Sequence, residues 1–144
     1  MAANLTPAVI AKLGIEQLTH LATMNKPSLG RSDATPSLQI DTFPIDGTLQ
    51  RVDFYSDELT AVCPVTQQPD FYNINITYQP KNRCIETKSL KLYLRTFDQT
   101  GIFAEHLAPE IAKHLANAVQ STVTVTLEQK VRGGITTKVT AVSD

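Results

Sequence analysis

The feature that most narrows the fold is a change of hydrophobic period that occurs twice along the chain. In "FYNINITYQP" (71–80), Tyr72, Ile74, Ile76 and Tyr78 alternate with Asn73, Asn75 and Thr77, the period of two that a half-buried strand requires. A shorter alternating run starts at Val52 and Phe54 and leads into Cys63. The pattern then changes. In "ETKSLKLYLRTF" (86–97), Leu90, Tyr93, Leu94 and Phe97 fall at i, i+3, i+4 and i+7, and in "EHLAPEIAKHLANAV" (105–119), Leu107, Ile111, Leu115, Ala118 and Val119 do the same. Each segment thus carries one apolar stripe along a helix. Period two returns in "TVTVTLEQKV" (122–131) and "GITTKVTAV" (134–142), with Gly133 and Gly134 free to take the positive φ of a tight hairpin turn. The order strand, strand, helix, helix, strand, strand predicts an α+β fold, a four-stranded antiparallel sheet with both helices on one face. So thin a core leaves the other face or the sheet edges open, and oligomerisation is the simplest cover.

Ahead of this unit, residues 6–23 read as a helix with Thr6 as N-cap and Pro7 at the first helical position. Residues 26–47, rich in proline, glycine and small polar residues, read as a connecting loop. The expected organisation is an N-terminal arm over 1–39 and one domain over 40–144. A length of 144 residues with 42% apolar and 19% charged residues fits a single globular domain. A net charge of −1 offers no field for a nucleic-acid backbone, so no nucleic-acid partner is expected. The N-terminal sequence lacks the basic-then-apolar pattern of a secretory signal, and no run reaches the roughly 18 apolar residues of a spanning helix. A cytoplasmic protein with reduced Cys63 and Cys84 is the expectation, with no membrane contact.

Cys63 has an ordinary reading, a buried thiol packed as a small hydrophobe. Its neighbourhood argues for more: "VCPV" followed by "TQQPD" sets the thiol at the edge of an element beside hydrogen-bonding side chains. Asp70, an ordinary turn residue after Pro69, is also placed to act as the proton-transfer group that a thiol nucleophile needs. Lys88 and Lys91 lie three apart near the start of a helix, where two ammonium groups beside unpaired amides suit phosphate as well as solvent. Arg132 in "VRGG" adds a third cation or is simply exposed. His106, Glu110 and His114 follow at i+4 steps on one helix face, but the third ligand type and the coordination geometry are unspecified and no HExxH pattern occurs, so no metal is expected. No Walker or GxGxxG loop occurs.

"CPVTQQPDF", "ETKSLKLYL" and "RGGI", with "DTFP" upstream, resemble the signature segments of the single-module NADPH-dependent nitrile reductases that convert 7-cyano-7-deazaguanine to 7-aminomethyl-7-deazaguanine in queuosine biosynthesis. The resemblance covers roughly residues 40–140. It implies the tunnelling fold, whose units assemble into homo-oligomeric rings or stacked rings with active sites at subunit interfaces. It further implies that Cys63 attacks the nitrile carbon to give a thioimide and that Asp70 protonates the nitrogen. By the same resemblance Glu105 and Glu86 bind the substrate, while Lys88, Ser89, Lys91, Arg132 and Gly133 hold NADPH. Where the family usually reads Phe-His-Glu, this chain has Phe103, Ala104 and Glu105, so the histidine thought to assist proton transfer is absent. His106 is two positions on, about 200° around a helix, and is a poor substitute. Two other readings compete: a non-reducing relative in which ammonia, an amino donor or water attacks the thioimide, and a non-catalytic oligomer that binds a purine-like or pterin-like ligand.

Overall fold

A computed structural model describes residues 27–144, so the helix expected over 6–23 lies outside the described residues. The described chain runs β1 (Thr42–Pro44), β2 (Val52–Val62), β3 (Pro69–Tyr78), β4 (Arg83–Ile85), α1 (Thr87–Leu94), a 3-10 turn (Arg95–Phe97), α2 (Ala104–Val119), β5 (Val123–Arg132) and β6 (Ile135–Ser143). The four long strands form one antiparallel sheet in the order β2, β3, β5, β6. A second, two-stranded ladder pairs β1 with β4, Phe43 opposite Cys84. Thr42–Pro44 falls inside the segment read from sequence as loop, because three residues are too few for a period to show.

The alternation in β3 sorts its residues as expected: Tyr72, Ile74, Ile76 and Tyr78 are buried, while Asn73, Asn75 and Thr77 are not. Opposite them α2 buries Leu107, Ile111, Leu115 and Val119, and β5 contributes Val123, Val125 and Leu127. Each such side chain, fully removed from water, contributes about 1.5–3 kcal/mol. α1 joins this core through Leu90 and Tyr93. Tyr93 meets Phe97 edge to face at 5.4 Å and its hydroxyl pairs with His114 Nδ1 at 2.7 Å, which ties α1 to α2. His114 therefore faces α1, whereas His106 is exposed, and no metal-ligand cluster forms among the described residues.

Local chemistry sets the element ends. Glu86 caps α1, its carboxylate accepting from the Lys88 and Ser89 amides at 2.8 and 2.9 Å. The amides that the sequence offered as unpaired are thus satisfied within the chain. α2 stops at Gln120, which is left-handed (φ 55°). Gly133 and Gly134 both have positive φ, 60° and 80°, as the turn between β5 and β6 demands.

One close approach positions the site. Val62 N–H donates to Thr100 O at 3.0 Å, and Ile102 N–H donates to Val62 O at 3.1 Å, so residues 100–102 run beside the end of β2. Gly101 sits between them, and a Cβ there would come within 3.3 Å of the Pro64 Cα. That contact delivers the start of α2 to the cysteine.

Candidate active site

Cys63 follows the last residue of β2, and the turn over 63–68 carries the chain directly into β3. Two backbone bonds close the turn, Cys63 N–H to Gln68 O at 2.8 Å and Gln67 N–H to Cys63 O at 2.9 Å, with Gln67 left-handed at φ 61°. The register pairs Ala61 with Asp70 and Val62 with Pro69. Asp70 therefore lies across the ladder from the residues that lead into Cys63, and it shares the inward face of β3 with Tyr72.

The turn is built to hold an anion at sulfur. The Thr66 hydroxyl and the Thr66 and Val65 amides are the donors that favour the anionic form of the Cys63 sulfur, with a smaller contribution from Arg132. Together they outweigh burial and bring the thiol down from its ordinary 9.0 to about 7. Arg132 organises this arrangement from the far hairpin. Its Nη1 pairs with Asp70 Oδ1, and its Nη2 donates to Thr66 Oγ1 at 2.9 Å and Gln68 Oε1 at 2.8 Å. Because Thr66 Oγ1 accepts from Arg132, its own hydrogen is free to point at sulfur.

The sign of the pH dependence follows. Below pH 7 Cys63 is mostly thiol, and above it mostly thiolate, so alkylation by iodoacetamide is expected to rise through a midpoint near 7. In Thr66→Val, which removes the hydroxyl beside the sulfur together with the acceptor it offers Arg132 Nη2, the midpoint shifts upward and alkylation at pH 7 slows about 10-fold. Site-resolved mass spectrometry checks this; an unmoved midpoint would show that Thr66 does not hold the sulfur.

Cys63, Asp70, Tyr72, Glu105 and Arg132 line one cavity of ≈ 300 Å³, with Phe103 and Ala104 on its helical side. α2 begins at Ala104, so Glu105 stands in its first turn, exposed at the cavity. His106 is not among the lining residues. The Tyr72 side chain is fully buried, and its hydroxyl has no hydrogen-bond partner among the described residues. Burial, then the Asp70 and Glu105 carboxylates, push its phenol up to about 12.

The lysine segment lies elsewhere. Lys88, Lys91 and Arg95 line a larger groove of ≈ 650 Å³ whose walls include Phe54, Ile76 and Leu90. No residue lines both cavities. Lys88 Nζ donates to the Arg31 carbonyl. Ser89 is fully buried, its hydroxyl donating to Glu86 O at 2.9 Å and accepting from Asp41 N at 2.9 Å. Gly133 occupies the hairpin tip next to Arg132. The structure thus brings together Cys63, Asp70, Glu105 and Arg132, and sets Lys88 and Lys91 in a separate groove, with Glu86 and the buried Ser89 at the start of the helix that carries them. Sequence reading assigned no role to Thr66, Gln68 or Tyr72. For Tyr72 a signal existed, since a residue two along a strand from Asp70 shares its face.

The model of the family described as "QueF-like protein" matches residues 69–144. A protein of Frankia casuarinae named NADPH-dependent 7-cyano-7-deazaguanine reductase is 47% identical over 108 residues, covering 74% of this chain and 86% of that one. The protein of the same name from Prosthecochloris aestuarii is 46% identical over 91 residues, 62% of this chain and 77% of the relative. Among solved structures, the apo archaeosine synthase QueF-Like aligns with a TM-score of 0.62 over 65% of this chain and 93% of its own, at 22% identity. That likeness places the sheet and its two helices in the tunnelling fold. The family match spans Asp70, Tyr72, Glu105 and Arg132, and with the identity to these relatives it establishes that the chain belongs to the QueF-like protein family.

Proposed function

We propose that this chain reduces the nitrile of 7-cyano-7-deazaguanine to the aminomethyl group with NADPH, through a thioimide on Cys63. The observation that carries the reading is the convergence of a thiol brought to about 7, a carboxyl group at Asp70 and a carboxylate at Glu105 on one cavity of ≈ 300 Å³. That volume suits a bicyclic base. The names of the 42–47% identical relatives supply the substrate and the cofactor.

Glu105 accepts N–H bonds from the guanine edge and fixes the ring, so that the nitrile points at sulfur. The Cys63 sulfur adds to the nitrile carbon, and Asp70 passes the thiol proton to the nitrogen; one C–S bond forms and C≡N becomes C=NH. Arg132 and Thr66 hold the sulfur and the carboxyl group in place meanwhile. NADPH, when bound, would supply two hydrides in turn, which with one further proton on nitrogen and departure of the Cys63 thiolate take the thioimide to CH₂NH₂. The chemistry of the groove fits such a cofactor: Lys88, Lys91 and Arg95 offer cations for its phosphates beside apolar walls. Glu86 and Ser89 keep the start of α1 rigid behind those lysines, and Arg132 with Gly133 offers a further contact from the hairpin.

The separation of the two cavities supports a homo-oligomer, ring or stacked rings, in which the lysine groove of one subunit completes the Cys63 cavity of its neighbour. The outward side chains Tyr55, Phe71, Val131 and Val142, 50–67% exposed, supply apolar surface for such contacts. Free Cys63 and Cys84 are consistent with the cytoplasm, and no helix among the described residues is long and apolar enough to cross a membrane.

Mixing the protein with 7-cyano-7-deazaguanine tests the reading. A thioimide absorbance with a matching mass increase is expected, followed by oxidation of added NADPH. An adduct that never oxidises NADPH would point to the non-reducing chemistry, and no adduct to a binding protein.

A further inference from the structure

Among the described residues, the Tyr72 hydroxyl is the buried side-chain polar group left without a partner, and it belongs to a residue on the wall of the Cys63 cavity. Leaving a buried O–H unmade costs about 1–3 kcal/mol, and such a group calls for an explanation. Phenylalanine would fill the same core position without that cost. Ala104, on the same wall, brings no proton to the cavity, and the other titratable or charged groups there are Cys63, Asp70, Glu105 and Arg132. Of these, Cys63 is the attacking group, Glu105 faces the purine edge, Arg132 is held by Asp70, and Asp70 on this reading has already given the nitrogen its first proton as sulfur added.

We propose that the Tyr72 hydroxyl is a catalytic hydrogen-bond and proton donor to the nitrogen of the Cys63-bound substrate. The inference rests on the nitrile-reductase reading. When the thioimide carbon takes a hydride, the C=N electron pair moves onto nitrogen, which then needs a proton. Tyr72 gives it, leaving a C–S–bonded carbon that bears NH₂, and water restores the phenol. Expulsion of the Cys63 thiolate then breaks the C–S bond, the nitrogen lone pair forms C=NH₂⁺, and a second hydride completes the amine with no further proton. A phenol held at about 12 stays protonated throughout the working range, yet it is far more acidic than the N–H that it creates, so transfer runs downhill.

The test is Tyr72→Phe, which removes one oxygen with no internal partner and is expected to leave the melting temperature unchanged or slightly raised. Without NADPH, the variant should still form the Cys63 adduct with 7-cyano-7-deazaguanine but release it roughly 5- to 10-fold faster, because the thioimide nitrogen has lost a donor. With NADPH, consumption of the preformed adduct should slow about 100-fold. Consumption at the unsubstituted rate overturns the proposal alone, whatever the adduct's lifetime. Failure of the unsubstituted protein to form an adduct overturns it together with the reading beneath it.

Discussion

Cys63→Ala is expected to eliminate the thioimide absorbance, the mass increase and NADPH oxidation together, while the protein stays folded. The loss should be total at the sensitivity of the assay, not a fractional slowing. A nitrile is a weak electrophile, and covalent catalysis splits its reduction into easier steps that no other group on the cavity can start. Asp70 is engaged by Arg132, the Tyr72 phenol is pushed up to about 12, and Glu105 lies at the cavity where the guanine edge would sit. Structure should survive, because Cys63 closes its turn with backbone groups, the bonds to Gln67 and Gln68. Cys63→Ser makes the same point more sharply. It keeps the shape and the surrounding donors of Thr66 and Val65, but its hydroxyl is hardly ionised near neutral pH and should form no adduct. Residual NADPH oxidation in both variants, with 7-cyano-7-deazaguanine present, would remove sulfur from the chemistry.

The two changes of period were enough to read the sheet and its helices. They arise from burial of one face, and every residue of a long element repeats that signal. β1 and β4 carry no such repetition, and Glu86 is outside the usual set of N-cap residues, so the ladder and the capped start of α1 escaped notice. At the site, the sequence raised the pairing of Cys63 with Asp70 but could not place them on one cavity, since that depends on how many residues the turn consumes before β3 begins. Arg132 looked like an exposed hairpin residue. Its bond to Asp70 spans 62 positions and exists because β5 lies beside β3. Tyr72 shows the limit best. Period two assigned it correctly to the buried face, but a pattern cannot show that this end of the core opens into a cavity.

Asp70→Asn is expected to slow thioimide formation by about 10²- to 10⁴-fold, the range for loss of a positioned proton-transfer group. The substitution is nearly isosteric at a residue that is 5% exposed. An asparagine oxygen can still accept from Arg132 Nη1, but the amide cannot take the thiol proton and hand it on to nitrogen. Alkylation of Cys63 separates this role from any effect on sulfur. The groups that lower the Cys63 thiol are chiefly Thr66 and Val65, so iodoacetamide should react within about 3-fold of the unsubstituted rate at pH 7 while addition to the nitrile fails. Equal losses in both reactions would mean that Asp70 acts only by fixing Arg132 and the turn. An unchanged rate of adduct formation would mean that solvent carries the proton. Set beside Tyr72→Phe, the variant divides the reaction in time: Asp70 serves the nitrogen as sulfur adds, and Tyr72 serves it as hydride arrives. Two donors on one wall suit a nitrogen that must collect two protons while staying attached to one carbon.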